Sequence, residues 1–218
     1  MTSDRVPVAI IGGGFSGTIL AAQLARKGIG SVLIDGSGRA GVGTAYSTTE
    51  PAHLLNVRAE MMSAWADDAD HFARAFEAEG GDRRGFAQRL LFGSYLRHIL
   101  AEARGAEVVR AYARQVRSGG DSWAIELDDG RMVHAEALVL AHGNQLPDPV
   151  GAAERLINDP WGADAQAAVL DLAETNGDVL IVGTSLTMVD LALSLDAAGH
   201  RGRIVSLSRR GLVPRAHA

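Results

Sequence analysis

Gly12, Gly14 and Gly17 stand in the spacing Gly-x-Gly-x-x-Gly, directly after a short apolar run from Val6 to Ile11. Phe15 to Lys27 follows, with Ile19, Leu20 and Leu24 among small residues and Gly28 behind it, the pattern of a helix with a glycine stop. A strand, a glycine bend and a helix in that order can hold a diphosphate. Gly12 permits the tight turn, Gly14 lets the backbone approach the pyrophosphate with no Cβ in the way, and Gly17 lets the helix lie close to the strand. Free N–H groups around Gly14, Phe15, Ser16 and Gly17, at the positive end of the helix dipole, would then face the phosphates. A second apolar run, Ser31 to Ile34, ends in Asp35, 18 residues beyond Gly17. A carboxylate there is placed to accept hydrogen bonds from adenosine ribose hydroxyls.

The bend has a second, altered copy. Val179 to Val182 runs into Gly183-x-Ser185-x-x-Met188, Leu195 and Gly199 match Leu24 and Gly28, and Ile204 to Ser208 matches Ser31 to Asp35. Ser185 replaces the glycine of close approach, and Met188 replaces the helix-packing one. Ser208, Arg209 and Arg210 stand where the first copy has its carboxylate. An acid there repels a 2′-phosphate, whereas arginine forks pair with it, so this copy favours NADPH over NADH. The other reading of Arg209 and Arg210 is an ordinary basic surface pair. Each copy is one nucleotide-binding strand–helix–strand unit.

Between the copies lies a loop punctuated by Gly36, Gly38, Gly41 and Gly43, then Ala45 to Ala69 without clear periodicity. His71 to Glu79 and Phe86 to Ala103 predict helices, the first capped by the acidic cluster Asp67, Asp68 and Asp70. Glu107 to Asp128, with turn signals at Gly119-Gly120 and Asp129-Gly130, predicts a small antiparallel meander. Ala137 to Ala141 predicts another buried strand, halted by His142 and Gly143. Gly143 to Asp178, with Pro147, Pro149 and Pro160, is the most linker-like stretch. The organisation expected is a first domain over 1–145, a linker over 146–178 and the opening part of a second domain over 179–218. A dinucleotide domain needs several more strands than the second copy supplies, so a fragment of a longer protein, or an incomplete second unit, is expected.

The 218 residues are 47% hydrophobic, ample for a core, and their formal charge of −5 argues against a nucleic-acid footprint. Cysteine is absent, which excludes disulfides, thiolate metal sites and a dithiol relay. The seven histidines show no HxxxH or HExxH spacing, so no metal is expected. His142 differs from the others in standing at a strand end near the bend. Ser16 has the wrong spacing for a nucleophile elbow. Trp65, Trp123 and Trp161 are scattered and expected in the core or at its edge. No apolar run reaches the length of a membrane span, and the N-terminal one is too short for a signal segment. A cytoplasmic protein without membrane or nucleic-acid partners is expected, and homo-oligomers are compatible with the sequence.

AIIGGGFSGT, GVGTAYST, PAHLLNV with MMSAWADDADHF, LVLAHGN, NDPW, VGTSLTMVDLALSL and SRRGLVPRAH together resemble the bacterial FAD-NAD(P)-binding family. These are two-dinucleotide flavoproteins, distantly similar to flavin N-hydroxylating monooxygenases, and the resemblance runs from about Val8 to His217. It implies an α/β fold: a Rossmann-like FAD-binding domain with a parallel sheet and a small antiparallel β-meander, followed by a partial second Rossmann βαβ unit. Gly12, Gly14, Gly17 and Asp35 would hold the ADP half of FAD, with Gly43 among the cofactor contacts. Asn56 and Met62 would lie toward the isoalloxazine, and Ala141, His142 and Gly143 would make a third FAD contact. Family members more often carry Ala-Thr-Gly at that third contact and glutamate at the position of Asp35. The activity implied is that of an FAD-dependent, NADPH- or NADH-using oxidoreductase, monooxygenase-like, with hydride transfer to flavin N5. A simple flavin reductase and a non-catalytic nucleotide-binding module are its rivals. A disulfide reductase would need a cysteine pair beside the flavin. The Phe-x-Gly-x-x-x-His-x-x-x-Trp-Pro pattern of Baeyer–Villiger monooxygenases is absent. No residue is assigned as catalytic acid or base, and Asn56 is the best candidate for a polar group near the flavin.

Overall fold

β1 (Arg5–Ile11) owes its place at the middle of a sheet to having a parallel neighbour on each side. The computed structural model describes residues 5–145, 148–153 and 155–215, so Pro147 and His217 lie outside the described residues. The chain divides into two compact units, residues 1–144 and 145–218.

In the first unit, β1 leads through the bend into α1 (Phe15–Arg26), which ends as expected before Gly28 (φ +71°). β2 (Ser31–Ile34) is buried at every position, which explains its unbroken Val-Leu-Ile run: both faces are covered. Fully burying each of these side chains contributes about 1.5–3 kcal/mol. α2 (His71–Ala78) and α3 (Arg89–Glu102) follow, packed through Phe72, Phe92 and Tyr95; the Phe72 and Phe92 rings meet edge to face at 4.8 Å.

α3 starts three residues later than Phe86, because the chain before it is used otherwise. The Leu55 N–H donates to the Ala87 carbonyl (2.8 Å), the Ala59 N–H to Gly85 (3.0 Å) and the Arg89 N–H to His53 (2.8 Å). These bonds hold the aperiodic stretch after Ala45 in place. The acidic cluster also departs from its expected role. Asp70 occupies the N-cap of α2 without a side-chain cap bond. Asp67, Asp68 and Asp70 instead pair with Arg26, Arg74 and Arg83 at 2.7, 2.6 and 2.6 Å.

The meander is smaller at its front and longer at its back than its sequence suggests. β3 (Ala106–Val109) is a parallel edge strand beside β2, from Ser31↔Ala106 to Ile34↔Val109. α3 carries the chain back across the sheet and Gly105 (φ +90°) turns it, so β3 closes a crossover rather than a hairpin. β4 (Ala113–Ser118), β5 (Trp123–Leu127) and the first half of β6 (Met132–Leu140) make the antiparallel part. β6 is nine residues long, well beyond the five expected, because its start pairs with β5 while its length runs parallel to β1. The six strands form one sheet in the order β3-β2-β1-β6-β5-β4.

The second unit contains α4 (Ala163–Thr175), β7 (Val179–Val182), α5 (Leu186–Ala197) and β8 (Ile204–Leu207), with β7 and β8 parallel. α4 lies within the stretch expected to be a linker. Its prolines all precede the helix, and the helix stops at Asn176 in the left-handed region (φ 52°). On the β7–β8 ribbon, Leu180, Val182, Val205 and Leu207 share one exposed face. Among the described residues no helix is long and apolar enough to cross a membrane.

Candidate dinucleotide-binding sites

The first bend is shaped by close fits that leave no room for side chains. Gly12 has φ +108°, and its N–H donates to the Ile34 carbonyl at the end of β2 (2.8 Å). A Cβ there would overlap the Ala141 carbonyl and stand 2.8 Å from the His142 Cα. The structure therefore brings the third predicted motif against the first: the Ala141 N–H donates to the Ile11 carbonyl (2.7 Å), and β6 ends beside the bend. At Gly17 a Cβ would overlap the Gly12 carbonyl, which is how α1 comes to lie so near β1. At Gly14, the N-cap of α1, an added Cβ would meet only the Gly43 Cα, at an ordinary contact distance of 3.8 Å. Phe15 and Ser16 open the helix at the surface, where their N–H groups lie in its first turn.

Asp35 is 8% exposed. Its Oδ2 accepts from the Gly13 N–H (2.8 Å), and its Oδ1 accepts from the Ser37 N–H (2.9 Å) and the Ser37 hydroxyl (2.6 Å). The loop after β2 folds back onto the bend: the Gly41 N–H donates to the Gly13 carbonyl (2.9 Å), and a Cβ on Gly43 (φ +56°) would stand 2.8 Å from the Gly14 Cα. Thr18, fully buried, donates its hydroxyl to the same Gly13 carbonyl (3.1 Å).

Gly13, Ser37 and Thr18 are thus parts of the site that the glycine fingerprint does not mark. A Cβ on Gly13 would lie 2.6 Å from Asp35 Oδ2, so this glycine is required by the carboxylate. Asp-x-Ser, a side-chain turn pattern, was the available signal for Ser37.

The flavin-side candidates are more dispersed. Asn56 is exposed, and His142 and Gly143 are exposed beyond the end of β6. Met62 is half-buried against the α2–α3 core, whereas Met61 is 72% exposed. Met61 lines a shallow cleft of about 480 Å³ with Ile19, Gln23 and Trp65. Trp65 carries the Arg26 guanidinium over its ring at 4.4 Å. No three His, Asp or Glu side chains converge as a metal site among the described residues.

The second bend repeats the first in backbone. Gly183 has φ +118°, and its N–H donates to the Leu207 carbonyl (2.7 Å). Ser185 is the N-cap of α5 with ψ −167°, the value Gly14 has at α1. Thr184, in the place of Gly13, donates its hydroxyl to the Leu212 carbonyl, so here too the segment after the second strand returns to the middle of the bend. Met188 is half-buried. Ser208 has a buried hydroxyl with no hydrogen-bond partner, and Arg209 and Arg210 beside it are exposed. The two exposed guanidinium groups at the end of β8 have the chemistry to pair with a phosphate.

Fold and bends together define a dinucleotide-binding α/β protein with a mostly parallel sheet and an antiparallel extension. Residues 9–145 match the model of the family described as FAD-NAD(P)-binding, and the chain belongs to that family. FAD and NAD(P) are accordingly its cofactor class. A Baeyer–Villiger monooxygenase named ATR8, from Stachybotrys chlorohalonatus, is 26% identical over 209 residues, covering 88% of this chain and 32% of that protein. A flavin monooxygenase from Stenotrophomonas maltophilia superposes with a TM-score of 0.64 at 20% identity, covering 93% of this chain and 57% of the other. OTEMO, in complex with FAD and NADP, gives a TM-score of 0.60 at 16% identity, covering 94% of this chain and 38% of the other. The chain therefore spans less than two thirds of the length of each of these relatives.

Proposed function

We propose that this chain provides the cofactor-binding part of a flavin-dependent oxidoreductase of monooxygenase type, with FAD on the first unit and NADPH on the second. The observation that carries the reading is the fit at Gly12. Three segments of the sequence meet there, and Gly14 beside it is the N-cap that opens the first turn of α1. The OTEMO complex, similar in fold, holds both FAD and NADP.

Each residue then has a task. The N–H groups of Gly14 to Gly17 hold the diphosphate of FAD against the helix N-terminus. Asp35 fixes the bend and accepts from the ribose. Ala141, His142 and Gly143 flank the cofactor at the end of β6, and Asn56 and Met62 belong to the segment on the isoalloxazine side. In the second unit Ser185 opens the helix toward the diphosphate of NADPH, and Ser208, Arg209 and Arg210 take its 2′-phosphate. A flavin held there would supply the redox chemistry, with NADPH as hydride donor to its N5 and oxygen or another acceptor as electron sink, while the residues above bind and orient the two nucleotides.

The test is an absorption spectrum of the purified chain with added FAD, followed through gel filtration, and a thermal shift with NADPH and NADH. Bound-flavin bands that co-elute with the protein, and a larger shift with NADPH, are the expected results. Protein that stays colourless with FAD overturns the flavin assignment.

A further inference from the structure

The donors around Asp35 leave little of its carboxylate unused. An ionised carboxylate offers about four acceptor positions, two on each oxygen. On Oδ1 both are taken, by the N–H and the hydroxyl of Ser37, at 2.9 and 2.6 Å. On Oδ2 one is taken, by the Gly13 N–H at 2.8 Å. The Ser37 hydroxyl is itself fixed, because its oxygen accepts from the Arg39 N–H at 3.2 Å. Arg39 N–H, Ser37 hydroxyl and Oδ1 form a chain with one direction, so the hydroxyl proton has a defined place. Turning the carboxylate toward a ligand would break all three protein bonds in a residue that is 8% exposed.

We propose that Ser37 is a positioning residue that fills Oδ1 and so restricts Asp35 to a single ribose hydroxyl, received at the one position left on Oδ2. The proposal rests on the reading that the first unit binds the ADP half of FAD. A ribose presents two neighbouring hydroxyls, and a carboxylate with both oxygens open would take both. Here the second hydroxyl finds no acceptor on Asp35. The residue thus does two things at once: it ties the bend to the loop after β2, and it distinguishes one sugar hydroxyl from its neighbour.

The experiment is a calorimetric titration of the full chain with ADP, 2′-deoxy-ADP and 3′-deoxy-ADP, with FAD competition as the control for site. One deoxy analogue is expected to bind about tenfold more weakly than ADP and the other within about twofold. Ser37→Ala opens a position on Oδ1, so the second analogue also becomes weak. Ser37→Thr keeps the hydroxyl and the original pattern. Equal losses for both analogues in the wild-type chain overturn the proposal. So does a Ser37→Ala chain that keeps the wild-type pattern, or one that weakens all three ligands alike, the signature of a merely structural role. A wild-type chain that binds neither ADP nor FAD fails at the earlier step and overturns the flavin reading itself.

Discussion

The two glycine bends share a backbone and differ in what surrounds it. Gly12 and Gly183 have φ of +108° and +118°, and each N–H meets the last carbonyl region of the neighbouring strand, at 2.8 and 2.7 Å. A Cβ on Gly12 would nevertheless strike the end of β6, whereas a Cβ on Gly183 meets nothing within 4 Å. β1 has parallel partners on both sides, while β7 pairs with β8 alone among the described residues. The turn is therefore a local property of strand and helix, and the tight fit is a property of the third strand. Backbone conformation demands glycine in both bends, but only the first demands it for space as well.

Substitution of the two glycines is the strongest way to break this comparison. Gly12→Ala combines left-handed strain with overlap at Ala141 and is expected to abolish FAD binding and cost about 3 kcal/mol or more in chemical denaturation. Gly183→Ala meets strain alone, about 1–2 kcal/mol, read by hydrogen exchange in β7 and α5. Equal losses at the two positions would remove the distinction drawn here.

The middle residues come next. Asp35→Ala leaves the Gly13 N–H buried without its acceptor and is expected to cost about 1–3 kcal/mol. Thr184→Val loses one hydroxyl bond to Leu212, and a loss of about 1 kcal/mol is expected. Denaturant midpoints of the two variants test the order. For the ends of the second strands, replacing Arg209 and Arg210 together by alanine is expected to weaken NADPH about tenfold and leave NADH nearly unchanged. A uniform loss for both nucleotides would make the pair a general basic surface.

The smallest effect belongs to an exposed ion pair of the first unit. Arg26 binds Asp67 through two hydrogen bonds, at 3.0 and 2.7 Å, and holds its carboxyl below the ordinary value. A carboxyl lowered in the folded state stabilises above its unfolded value and loses that contribution as pH falls through the folded one. Asp67→Asn is therefore expected to lower the melting temperature slightly at neutral pH, with the difference shrinking as pH falls below the ordinary carboxylate range.

How far the sequence revealed these features depends on how local their causes are. The first strand–bend–helix–strand is legible because each piece is set by its own residues: the apolar runs, Gly12, Gly17 and the stop at Gly28. The altered second copy was legible as a repeat of spacing, Gly183 and Ser185 matching Gly12 and Gly14. β3 is less legible, because Glu107 and Val109 alternate as a hairpin strand does, while its partner is decided by the crossover through α3. The start of α3 is hidden because Phe86 and Ala87 suit a helix, while the carbonyls of Gly85 and Ala87 serve the Ala59 and Leu55 N–H groups instead. The capping role of Asp70 gave way to Arg83, a residue 13 positions on. Gly13 and Ser37 lie outside the fingerprint because it records where a ligand needs space, and these two answer to Asp35.

One strand carries a temporal consequence. β6 supplies the wall against which Gly12 is fitted, yet Ile11 pairs with Leu140, near the far end of the first unit. During synthesis the opening strand leaves the ribosome long before that partner exists. Until β6 docks, the bend has its glycines but no mould, and contacts this distant in sequence close late and slowly. A nascent chain should gain affinity for a dinucleotide in a single step, when Leu140 arrives, rather than when the glycines do.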